Sequence, residues 1–100
     1  MGVMADLLTR EVFLPRVGET FRVAETGADL VLAEAASLAV HGASAGPRRA
    51  PFSLLFRGPK QPVLPQRIWA LENEALGRLE IFLVPIGPDR EGMQYEAIFN

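Results

Sequence analysis

A single histidine, His41, is the only side chain here whose ordinary pKa lies near neutrality. One imidazole cannot supply a paired-histidine metal site, and the sequence around it reads as a solvated loop. Ser37, Ser44 and Ser53 lack the Gly-x-Ser-x-Gly setting that would expose a nucleophile at a strand-to-helix turn. The chain has no cysteine, which removes disulfides, thiolate nucleophiles and thiolate metal ligands together.

The carboxylates Glu72, Glu74, Glu80 and Glu96 fall close together in the second half. Paired carboxylates do acid–base work when burial separates their pKa values. These alternate with apolar residues, as solvent-facing strand positions do, and are expected to face Arg67 and Arg78 across a sheet. Asp89, in GPDREG, lacks the spaced oxygen ligands of a calcium loop and reads as a turn residue.

Arg48, Arg49, Arg57, Lys60 and Arg67 bracket a loop and a proline-bearing connector. They could offer a modest basic surface for an acidic partner, but dispersed charge that keeps strand edges soluble is the favoured reading. Pro59, Pro62 and Pro65 recur at the period of a polyproline II helix, and PVLPQR (62–67) has the form some SH3 domains accept. A stiff connector accounts for the same prolines without a ligand role. Trp69 and Tyr95 are the candidate aromatic anchors of any binding surface, although in a domain this small such side chains more often fill the core with their polar tips at its edge. No phosphate loop, dinucleotide fingerprint or zinc spacing is present, so no cofactor is expected.

What must position these residues is a set of strands. In 19–25, Phe21 and Val23 alternate with polar or small residues, as in a half-buried strand. Gly27-Ala28-Asp29 turns the chain into 29–40, where Leu30, Leu32, Ala36, Leu38 and Val40 alternate as in a long strand, with Glu34 the exception. The same stretch is rich in helix-favouring Ala and Leu, but the neighbouring turns favour a strand. Residues 41–51 are a loop by composition. Phe52, Leu54 and Phe56 share one face of 51–58. Strands are expected over 66–73, 78–85 and 93–99, with a turn at Gly77 and another across 86–92. Ile81 and Leu83, opposite Phe82 and Val84, make 78–85 apolar on both faces and suggest a central strand. Residues 5–11 are expected to form a short helical turn.

About six strands at this spacing predict an all-β fold, a small antiparallel barrel or two-layer sandwich forming one domain over 1–100. Apolar residues are 49% of the chain and charged ones 22%, with a formal charge of −2. That balance gives no general reason to bind nucleic acid or an anionic membrane. No apolar run approaches the roughly 20 residues that span a bilayer, so no membrane insertion is expected. Asp6, Arg10 and Glu11 interrupt any apolar signal segment, and the expected location is cytoplasmic, with association to an extracellular assembly left open.

The segments PFSLLFRGP (51–59), LPQRIWALENEALG (64–77) and LEIFLVPIGPDREGMQYEAIFN (79–100) resemble a family of small bacterial domains of unknown function. FLPRVGETFRV (13–23) fits the same family's opening. The resemblance implies no catalytic residue. It does imply genes encoded near tail-collar-like fibre proteins, and hence a structural or assembly role. Three readings follow: a non-enzymatic structural or protein-interaction module, self-associating or binding a protein partner through strand edges; a small-ligand-binding barrel lined by Trp69, Phe82 or Tyr95; and an enzyme of unknown class.

Overall fold

The computed structural model describes residues 8–38 and 50–100. Leu8 is buried, Thr9 is extended, and a single helical turn, α1 (Arg10–Phe13), runs into a 3₁₀ turn at Leu14–Arg16. The helix therefore starts later than the expected 5–11, and residues 5–7 lie outside the described residues. Thr9 keeps β-region dihedrals (φ −128°, ψ 167°), so the helix begins after it.

Six strands follow: β1 (Thr20–Val23), β2 (Asp29–Ser37), β3 (Phe52–Gly58), β4 (Arg67–Asn73), β5 (Gly77–Asp89) and β6 (Gly92–Phe99). All pairings are antiparallel, and the order β1-β2-β3-β6-β5-β4 closes on itself as a barrel. The ring is uneven. β3 and β6 share seven paired positions from Phe52↔Phe99 to Gly58↔Met93, whereas β1 meets β4 only at Arg22↔Glu72 and Val23↔Leu71.

Alternation sends one face of each strand inward: Phe21 and Val23, Leu30 and Leu32, Phe52, Leu54 and Phe56, Trp69 and Leu71, Leu79, Ile81 and Leu83, Tyr95 and Ala97. The Glu34 irregularity has a physical cause. β2 bulges between Leu32 and Glu34, one extra residue inverts the alternation, and Ala35 is buried where Ala36 was expected. The extra residue is Ala33.

Two expectations for β5 are corrected. The strand does not end at Pro85. A second bulge between Pro85 and Gly87 carries it on to Asp89, so 86–92 is mostly strand and only its tip turns. Gly87 accepts φ +115° there, a conformation that side chains with a Cβ avoid. Nor is β5 buried on both faces: Phe82 is 48% exposed. In a closed single-layer barrel every strand has one inner and one outer face, so no strand is central.

Phe13 closes one end of the barrel. Its ring lies 5.9 Å from both Phe52 and Phe99, which stack on each other at 4.6 Å, and 6.5 Å from Phe21. Arg10 Nε ties α1 to the Ala35 carbonyl at 3.0 Å. The 59–66 connector crosses the opposite end, where Leu64 is buried. It bends over 60–62, so the three prolines do not lie along one continuous polyproline II segment.

Candidate interaction surface

Trp69 and Tyr95 belong to the core, with their polar tips spent on the connector. The Leu64 amide donates to Tyr95 Oη at 2.9 Å, and Trp69 Nε1 donates to the Pro65 carbonyl at 2.9 Å. These bonds satisfy groups that would be costly to bury unpaired. No buried side-chain nitrogen or oxygen among the described residues lacks a partner.

Of the five candidate basic residues, Arg57, Lys60 and Arg67 lie within the described residues. Arg48 and Arg49 lie outside the described residues, as do His41 and Ser44. Arg57 is held by carboxylates: its Nε and Nη2 donate to Asp89 Oδ2 at 3.0 and 2.8 Å, and Nη1 lies 3.4 Å from Glu91. Lys60 is exposed on the connector. Arg67 lies over the Trp69 ring, 3.9 Å from its centroid, and pairs with Glu25 at 2.9 Å. The expected sheet of carboxylates facing Arg67 and Arg78 reduces to one pair, Arg78–Glu72 at 3.8 Å. Arg67 turns to the β1–β2 turn instead.

Asp89 is a turn residue, as expected, and more. Its Oδ1 accepts the Glu91 and Gly92 amides at 2.8 and 3.0 Å while Oδ2 takes Arg57. The guanidinium beside it holds the Asp89 carboxyl below its usual value, and the carboxylate in turn raises Arg57. Close approach of backbones supports the same corner, because a Cβ at Gly92 would collide with the Gly58 carbonyl oxygen.

Sheet extension at the terminal strand is not available along Gly92–Glu96. β6 is inside the ring, bonded to β3 on one side and to β5 on the other. The surface that stands out is a face. On the outside of β4 and β5, three rungs lie side by side: Glu72↔Arg78, Ala70↔Glu80 and Ile68↔Phe82. Ile68 is 56% exposed, more than any other large apolar side chain among the described residues, and Phe82 is directly opposite it. Beside this apolar rung a groove of about 480 Å³ is lined by Ala24, Glu25, Arg67, Ile68, Ala70, Arg78 and Glu80.

Sequence reasoning placed Phe82 among possible cavity liners and did not single out Ile68. The signal was present in the two-sided apolarity of β5, read there as central burial. Two further grooves, of about 570 and 430 Å³, lie at Arg16–Thr20 with Asn73–Ala75 and around Arg57 and Pro59. None of the three is lined by Trp69, Phe82 or Tyr95. Among the described residues no three His, Cys, Asp or Glu side chains gather as metal ligands, and no helix is long and apolar enough to cross a membrane.

Residues 8–99 match a family described as a domain of unknown function, DUF6916. The chain belongs to that family. The matched span runs from the buried Leu8 through all six strands, so this DUF6916 domain takes in the whole barrel with its Phe13 closure. No curated protein and no solved structure matches the chain.

Proposed function

We propose that this DUF6916 domain is a non-enzymatic protein-interaction module that works through the outer face of β4 and β5. One observation carries the reading: Ile68 and Phe82 form an exposed apolar rung with charged residues at its edges. An apolar centre with a polar rim in which arginine is prominent is the usual anatomy of a protein contact. Both residues sit on paired strands of a closed barrel, which lowers the ordering cost of presenting them.

The class of partner we favour is a structural protein of a bacterial fibre or phage-tail-like assembly. What supports it is the resemblance of 51–59, 64–77 and 79–100 to domains sometimes encoded near tail-collar-like fibre proteins. The test is affinity capture from the native source with the wild-type chain and with Phe82→Glu. A defined fibre-type protein retained by the first and lost by the second supports the reading; equal capture by both, or none by either, counts against it.

A further inference from the structure

We propose that the edge of β5 from Arg78 to Phe82 takes an extended segment of a protein partner as an added strand. This rests on the interaction reading above and names how a partner is held beside Phe82. The Ala24 amide donates to the Ala70 carbonyl at 2.9 Å, so the Ala70 backbone points to β1. Facing residues of an antiparallel ladder alternately exchange both hydrogen bonds or neither. Ala70↔Glu80 is therefore a rung without bonds between its members, and so are Glu72↔Arg78 and Ile68↔Phe82. Arg78, Glu80 and Phe82 accordingly turn their N–H and C=O groups away from β4, while Leu79 and Ile81 bond to it.

β6 lies on that far side, but its ladder with β5 ends at Val84↔Glu96. Continued in the same register, β6, which stops at Phe99, would reach only to Ile81. Arg78 and Glu80 lie past its end, and no other strand among the described residues pairs with this stretch of β5. An unpaired run of backbone donors and acceptors is a template for another extended chain. Main-chain bonds then supply affinity, and alternate side chains supply selectivity. The outward side chains here set the pattern. Glu80 has no ion pair among the described residues, so the incoming strand carries Lys or Arg opposite it. An apolar residue lies opposite the half-exposed Phe82, and an acidic one opposite Arg78, which Glu72 holds only at 3.8 Å.

Amide exchange of the full chain, followed by NMR, reads the edge directly. The Arg78 and Glu80 amides should exchange about a hundredfold faster, or more, than those of Leu79 and Ile81. Fluorescence polarisation then uses a labelled synthetic peptide with leucine, lysine and glutamate at alternate positions, separated by threonine. It should bind the wild type and slow exchange at Glu80. Glu80→Pro removes an edge donor without touching a β4 bond, and should weaken binding about tenfold or more. Circular dichroism reports whether that variant retains the barrel, and a peptide N-methylated at its pairing amides makes the same test on the unaltered protein. Protection at Glu80 equal to that at Ile81 in the free chain, no binding of the parent peptide at about 1 mM, or equal binding of the N-methylated one overturns strand addition. If a fibre-type partner is captured in a Phe82-dependent way but is kept by Glu80→Pro, strand addition falls and the interaction reading stands; if capture depends on neither residue, both fall.

Discussion

Arg57 on β3 and Asp89 at the end of β5 are joined across β6 by two hydrogen bonds to one carboxylate oxygen, at 3.0 and 2.8 Å. The other oxygen caps the β5–β6 turn through the Glu91 and Gly92 amides. One side chain thus fixes the turn and fastens it to a strand that is not its neighbour in the chain.

That pairing carries a pH signature. Arg57 lowers the Asp89 pKa in the folded chain below the usual 3.8, so the ionised form favours folding. The contribution is full above the unfolded value and is lost as pH falls through the folded one. Asp89→Asn should be less stable than wild type in urea at pH 7, with the gap closing below about pH 4. A gap of constant size across that range would mean the carboxylate charge does not matter.

Tyr95→Phe removes the acceptor of the buried Leu64 amide. An unsatisfied buried donor costs about 1–3 kcal/mol. Chemical denaturation should report a loss in that range, and amide exchange at Leu64 should quicken more than in the rest of the barrel.

Asn73 mends the shortest seam in the ring. Where the β1–β4 ladder stops, its Nδ2 donates to the Thr20 carbonyl at 3.0 Å and to Glu19 at 3.2 Å, and its Oδ1 accepts the Ala75 and Leu76 amides at 2.9 Å. Asn73→Ala should cost at least about 1–3 kcal/mol by leaving partners unpaired. Exchange at the Ala75 and Leu76 amides should rise with it; unchanged exchange there would show the turn needs no cap.

Adjacent residues of β5 should behave oppositely. Ile81 is 1% exposed, and Ile81→Ala should cost about 2–5 kcal/mol through the cavity it leaves. Phe82→Ser should stay within about 0.5 kcal/mol of wild type, as surface changes usually do. Thermal melts of the two variants decide it, and a large loss in Phe82→Ser would place that ring in a packing role.

Much of the architecture is legible in local patterning. Phe52, Leu54 and Phe56, and again Tyr95 and Ala97, alternate so cleanly that strand and inward face follow together. Gly27 and Gly77, both at positive φ, mark their turns for the same steric reason that glycine is chosen there. The bulges were harder to foresee. At Ala33 and Ile86 the strand continues although its period breaks, because pairing with a neighbouring strand, invisible along the chain, holds the extra residue in place. The long-range partners of Arg57 and Arg67 were hidden for a related reason: an ion pair between residues 32 or 42 positions apart depends on register.

By itself, then, the order of apolar and polar residues determined that this chain forms antiparallel strands and which side of most of them shuns water, because a period of two has one low-energy answer for a half-buried ribbon. Only the tertiary structure decided that the sheet closes into a ring, which turns the ambiguous β5 inward at Ile81 and outward at Phe82. Closure is a property of all six strands at once. It set Ile68 beside Phe82 on the outside and gave the domain its candidate surface.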